Sequence, residues 1–224
     1  MQLEILDLGL VDFKDAWRLQ KEALLAVKNN TCLSRLILCQ HYPVITLGRS
    51  ANKRNLLYNE TALAVKGIPV YEVERGGDVT YHGPGQITVY PIFNLNYFKK
   101  DIHLFLRNLE NLIIDLLAGF GINGIRYPGL TGVWIRDEKI ASIGIAIKNW
   151  ITFHGISLNI KSLDLENFNF IRPCGMDIKM TSLENILRKQ VEIQELKDIF
   201  VQKFRKHFSF DLVNQKYCLS AVLK

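Results

Sequence analysis

Between residues 131 and 160 three short, β-branched stretches follow one another: TGVWIRD (131–137), IASIGIAIK (140–148) and ITFHGISLNI (151–160), with two residues between neighbours. So short a connection can only fold the chain back antiparallel to itself, because a parallel neighbour needs a crossover of about a dozen residues or more. The segment predicts an antiparallel meander, and a sheet becomes the frame to which the rest must attach. Upstream, LEILDLG (3–9), SRLILCQHY (34–42), PVITLG (43–48), PVYEVER (69–75) and QITVYPIFNL (86–95) carry the same strand character. Helical periodicity separates them. A helix starts from Asp12 as N-cap, with Phe13, Trp17, Leu24 and Val27 near one face. Residues 60–67 predict a short helix, and 103–118 a longer one with Leu106, Leu109, Ile113 and Leu116 on one face. Thr181 and Glu184 have capping-box spacing before another short helix. A last helix covers 192–208, with Ile193, Leu196, Phe200 and Phe204 inward, and FDLV (210–213) closes the sheet. The reading is a mixed α/β (α+β) fold, one domain over 1–224, with mixed and antiparallel sheets flanked by helices.

Composition narrows the chemistry. The formal charge is +6, but the basic residues are scattered, and the densest stretch is Lys203, Arg205 and Lys206. That is too short for a nucleic-acid footprint, so no nucleic-acid partner is expected, while an acidic protein partner is compatible. No apolar run approaches the roughly 18 residues of a spanning helix, so no membrane association is expected. The opening MQLEILDLGL lacks the basic n-region of a secretory signal. The expected setting is cytoplasmic and reducing, with Cys32, Cys39, Cys174 and Cys218 as free thiols. No CxxC or HxxxH spacing occurs, so neither a metal nor another cofactor is expected. Cys39 lies in a strand pattern and is read as a buried thiol.

Three segments could carry chemistry. RGGDVTYHGPGQ (75–86) holds four glycines and a proline between two strand patterns. It is neither a Walker A loop nor a GxGxxG helix start, yet it is longer than a simple hairpin turn requires. Glycines there let a ligand lie against backbone. Cys174, between Pro173 and Gly175, precedes a helix, whose N-terminus would favour the thiolate. Lys139 sits at the RDEK turn between two strands, where a lysine is ordinarily solvated. Buried beside a thiol it would instead hold a thiolate and shuttle protons. No GxSxG elbow is present, and His82 and His154 are read as core or supporting histidines.

Taken together, RGGDVTYHGPGQITVYPIFNL (75–95), GVWIRDEKIASIGIAI (132–147), FHGISLNI (153–160) and IRPCGM (171–176) resemble the lipoate-pathway octanoyltransferases, the lipoate biosynthesis protein B family. The segments occur in that family's order, and the chain has its length. The resemblance implies a fold shared with lipoate–protein ligases and biotin protein ligases. It implies that Cys174 accepts the acyl group and that Lys139 is its partner. It implies substrate-binding roles for Arg75, Gly76, Gly77, Asp78, Val79, Thr80, Tyr81 and His82, for Ser142, Ile143 and Gly144, and for Gly155, Ile156 and Ser157. The implied donor is octanoyl-acyl carrier protein. The implied acceptors are lipoyl domains of 2-oxoacid dehydrogenase complexes and the glycine cleavage H protein. Amides near Gly77 or Gly175 are candidates for the oxyanion. Two rivals remain at this point: an ATP-dependent lipoate–protein ligase on the same fold, and a non-catalytic binder of acyl carriers or lipoyl domains. The ligase does not need a nucleophilic cysteine, and the binder needs neither Cys174 nor Lys139.

Overall fold

The computed structural model describes residues 3–29, 34–163 and 165–209. Five helices and nine strands are laid down among them. β1 (Glu4–Val11) leads into α1 (Phe13–Lys28), then β2 (Ser34–His41) and β3 (Val44–Leu47). After α2 (Glu60–Val65) come β4 (Val70–Glu72), β5 (Val79–His82), β6 (Gln86–Phe93) and α3 (Ile102–Ala118). β7 (Val133–Ile135), β8 (Glu138–Lys148), β9 (Ile151–Asn159), α4 (Leu183–Leu187) and α5 (Ile193–His207) complete the order. The N-terminal caps follow the side chains: Asp12 accepts from Lys14 N at 2.9 Å, and Asp101 from Leu104 N at 2.9 Å.

The strands form two sheets, one of six in the order β1-β2-β6-β9-β8-β7 and one of three in the order β4-β3-β5. β1 pairs parallel with β2 across α1, and every other pair of the large sheet is antiparallel. The predicted meander is therefore present as β7-β8-β9. In the small sheet β3 is parallel to β4 and antiparallel to β5. The large sheet is buried on both faces, which is why its strands read as near-continuous apolar runs. Leu36 and Leu38 of β2 face a core shared with α3 and α5, while Ile37 and Cys39 face α1. The small sheet closes a third cluster with Leu63 of α2, Phe168 and Ile171. No described helix is long and apolar enough to cross a membrane.

Several sequence expectations need correction. The glycine-rich stretch does not join neighbouring strands: β4 and β6 lie in different sheets, and the stretch contains a strand of its own, β5. Four buried residues, Val79–His82, carry that strand, and the surrounding glycines mask it. The strand expected over 69–75 stops at Glu72, before the chain turns towards Gly76. The cap of α4 is Ser182, which accepts from Asn185 N; Thr181 is instead engaged by its amide to Lys139 O. Lys139 belongs to β8, not to a turn, and is buried. The strand expected at 210–213 lies outside the described residues.

Candidate active site

The two sheets do not pack flush. Small side chains occupy facing positions on the large sheet: Thr88 opposite Ser157, Ser157 opposite Ser142, and Gly155 opposite Gly144. The space they leave is a cavity of about 590 Å³, closed on the other side by Thr46, Thr80 and His82 of the small sheet. Its size falls within the range of small-molecule sites. The lining mixes apolar groups with polar ones, and His82 Nδ1 and Thr88 Oγ1 have no hydrogen-bond partner among the described residues.

The glycine segment forms the rim. Gly76 N donates to Ile145 O at 2.9 Å, fastening the segment to β8 where β7 has ended. Gly77 takes φ +85°, open to glycine at no steric cost. Arg75 is buried and pins the rim from inside: its Nη2 donates to Thr46 O at 2.7 Å and its Nη1 to Gly76 O at 3.1 Å. A Cβ on Gly144 would lie 3.0 Å from Gly76 O, so the floor and the rim are in contact there.

Asp78 ties this rim to the turn that carries Cys174. Its carboxylate accepts from Asn52 N and from Asn55 Nδ2, and Asn55 O accepts from Arg172 N at 2.8 Å. Cys174 is the middle residue of the 3-10 turn Pro173–Gly175, and Pro173 lines the cavity. The expected helix-dipole assistance is not built in. The turn ends at Gly175, and α4 begins only at Leu183. Arg172 pairs with Asp177 at 2.9 Å, in an exposed ion pair. Gly175 N donates to Arg172 O at 3.0 Å, so that amide is engaged within the turn.

Lys139 reaches the same cavity through a fault in the sheet. In the β7–β8 ladder Val133 faces Ala141 but Trp134 faces Lys139, so Ile140 is an extra residue. Such a bulge reverses the alternation beyond it. Ile140 and Ala141 both point into the core beneath α3, and Lys139 is turned to the cavity side with Ser142. Its Nζ stands 4.8 Å from the centre of the Trp134 ring, and its backbone bonds Lys179 O and Thr181 N. Regular alternation would have put this lysine under α3.

Of the remaining sequence candidates, Val79, Ile143 and Ile156 also line the cavity. Tyr81 does not: its ring sits in the small-sheet core, and its hydroxyl accepts from Asn167 Nδ2 at 2.8 Å. Cys39 is fully buried, and burial pushes its thiol well above the usual range, which removes it as a nucleophile. His154, at φ +56°, lines the cavity and bonds Glu74 Oε2 at 3.3 Å. Burial lowers the His154 pKa despite that carboxylate, while the bond to His154 lowers Glu74 to about 2. The pair therefore reads as a neutral imidazole donating to a carboxylate. Sequence reasoning missed Tyr90, Thr46 and Gly132, which have no local signal. It also missed Glu110, whose signal was a lone carboxylate among apolar positions of α3.

Residues 12–205 match the family described as the lipoyl protein ligase A/B catalytic domain. The chain belongs to this family. Within the lipoyl protein ligase A/B family its similar relatives include the octanoyltransferase of Solibacter usitatus, 40% identical over 92% of this chain and 93% of that protein. The octanoyltransferase of Caldanaerobacter subterraneus subsp. tengcongensis is 44% identical over 92% and 90%. Membership with these relatives makes the chain a transferase. Among solved structures, lipoate-protein ligase A bound with ATP superposes with a TM-score of 0.76 at 14% identity, over 96% of this chain and 89% of that one. The biotin protein ligase of Aquifex aeolicus in complex with biotin and ATP does so with 0.57 at 12% identity, over 93% and 70%. The ligase-like fold implied by the sequence motifs is thus found.

Proposed function

We propose that the chain, as one catalytic unit over residues 1–224, transfers an octanoyl group from octanoyl-acyl carrier protein to a lysine of a lipoyl domain, through a thioester on Cys174. One observation carries this reading: the bulge in β8 turns a buried Lys139 into the cavity that Pro173, next to Cys174, also lines. A ligase that adenylates a free acid needs no nucleophilic cysteine beside that lysine, and a binding module needs neither residue.

The steps balance. The Cys174 thiolate attacks the thioester carbonyl, the bond to the carrier's sulfur breaks, and the departing thiolate takes a proton from the Lys139 ammonium. Lys139 is then a neutral amine. The acceptor lysine, with a pKa near ~10.4 in water, gives up one proton to solvent to become the attacking amine, and the second, lost from its nitrogen as the amide forms, passes to Lys139. Cys174 leaves as thiolate, and both groups return to their starting protonation states. One hard transfer becomes two easier ones, and the activated donor makes ATP unnecessary. The cavity walls supply apolar surface for the chain from Ile143, Ile145 and Ile156, while Gly76, Gly77 and Gly144 allow backbone approach. The net charge of +6 favours encounter with an acidic carrier. Acceptors of this kind are the lipoyl domains of 2-oxoacid dehydrogenase complexes and the glycine cleavage H protein, and a reducing cytoplasm would keep the thiol free.

The test is intact-mass analysis after mixing with octanoyl-acyl carrier protein, with no nucleotide and after chelation, followed by peptide mapping. The expected result is one octanoyl adduct, on Cys174, that is discharged by added lipoyl domain. Cys174→Ser should abolish both. An adduct on Cys32 or Cys218, or transfer that starts only when ATP is added, would overturn the reading.

A further inference from the structure

We propose that Glu110 is a positioning residue for Lys139, acting through the backbone of Gly132. This inference rests on the role given to Lys139 above. Glu110 lies on the apolar face of α3 and is fully buried. Its two carboxylate oxygens have different tasks. Oε2 meets Arg107 Nη1 at 2.6 Å and Arg126 Nη1 at 3.9 Å, which balances the charge. Oε1 accepts the amide of Gly132 at 3.0 Å. A buried carboxylate is an expensive acceptor for one backbone amide unless that amide must be held in place.

Gly132 has such a place. It stands at φ +137°, just before β7, in a conformation other residues rarely adopt. A Cβ there would lie 2.6 Å from Lys139 Cε and 3.2 Å from Nζ. The lysine stem therefore runs directly over the Gly132 backbone, and the Trp134 ring bounds its ammonium. The missing side chain opens the path and the Glu110 bond sets its height. If the amide of Gly132 is released, the surface under Lys139 moves, and with it the distance from ammonium to thiolate.

Two conservative variants separate reach from charge. Glu110→Gln keeps an oxygen at the same reach but loses the charge facing Arg107 and Arg126. Glu110→Asp keeps the charge but withdraws the carboxylate by one methylene from Gly132. The readouts are the pH dependence of Cys174 alkylation, mapped by peptide mass, and single-turnover acyl-enzyme formation, with thermal unfolding as the check on folding and Lys139→Ala as reference. The Glu110→Asp midpoint should rise by about one pH unit towards that of Lys139→Ala, as expected on weakening a nearby ammonium. Glu110→Gln should keep the wild-type midpoint even where its melting temperature falls. A shifted midpoint in Glu110→Gln, or an unshifted one in Glu110→Asp, overturns the inference. A wild-type midpoint in Lys139→Ala would instead overturn the role of Lys139 itself.

Discussion

Lysine and arginine at position 139 would share a charge and differ in one ability, and the proposed cycle uses both properties in turn. The ammonium stabilises a thiolate; the neutral amine collects a proton. Arginine keeps the first and lacks the second, because it does not deprotonate in the working range. Lys139→Arg should therefore leave some acylation of Cys174 while transfer to the acceptor falls by roughly 10²–10⁴-fold, the usual worth of acid–base assistance. Rapid-quench measurement of the two half-reactions decides it, and equal losses in both would contradict the division of labour. Lys139→Ala should also cost about 1–2 kcal/mol of stability, since the buried stem packs on Gly132 and Trp134. Nothing local in the sequence announces this burial. Judged by its neighbours Lys139 is a turn residue, and only the motif it shares with a family marked it out. The reason is physical: one extra residue, Ile140, reverses the facing of the strand, and in a run as apolar as IASIGIAI two adjacent inward residues do not stand out from ordinary alternation.

Elements were easier to read than facings. The helices at 13–28, 102–118 and 193–207 follow from 3.6-residue periodicity, and the meander follows from its two-residue turns. β5 escaped because four residues between glycines give too short a pattern to be seen. The cap at Ser182 was displaced by one position, because the Thr181 amide is drawn to Lys139 O. The pairing of loop to sheet was also hidden, since Gly76 bonds β8 only after both sheets are assembled. This pairing makes a prediction about the floor of the cavity. Gly144 has an ordinary strand conformation, but a methyl group there would press on Gly76 O at 3.0 Å and the Arg75 stem at 3.4 Å. Gly144→Ala should lift the rim by a few tenths of an ångström while the sheet stays intact. The expected outcome is a raised KM for the acyl donor with a melting temperature within a few degrees of wild type. Unchanged donor kinetics would place the acyl chain elsewhere. Gly155 is not an equivalent probe, because its Cβ would meet Val89 O at 2.2 Å and break the ladder.

At the scale of the whole molecule the two sheets meet over buried imidazoles. His41, at the end of β2, bonds Val11 O at 3.1 Å and Tyr90 at 2.7 Å, and its ring lies 5.8 Å from that of His82 in the small sheet. Desolvation lowers the His41 pKa to about 4 and holds His82 well below its ordinary value; His154 is lowered by the same cause. A histidine that is harder to protonate when folded makes the unfolded state bind more protons, so stability rises with pH through that range. The loss on acidification accordingly begins near the unfolded value of 6.5 and continues down to the folded one, about 4 for His41. At ~1.4 kcal/mol per unit, His41 alone withdraws up to about 3 kcal/mol across that window, a large share of the stability of an ordinary domain. His82 adds to it, and two charged rings so close would also repel. Urea unfolding at pH 8, 6.5, 5.5 and 5 should show a free energy that is flat above 7 and falls steeply below 6.5. His41→Gln, which cannot charge, should flatten the slope between 6.5 and 5 by about one proton, although it starts from lower stability. If its slope matches wild type, the imidazoles accept protons without opening the interface, and the seam between the sheets is wetter than its packing indicates. If the slope flattens, acid inactivation of the transferase is a parting of the two sheets that enclose the cavity, and it should coincide with unfolding, not with titration of Lys139.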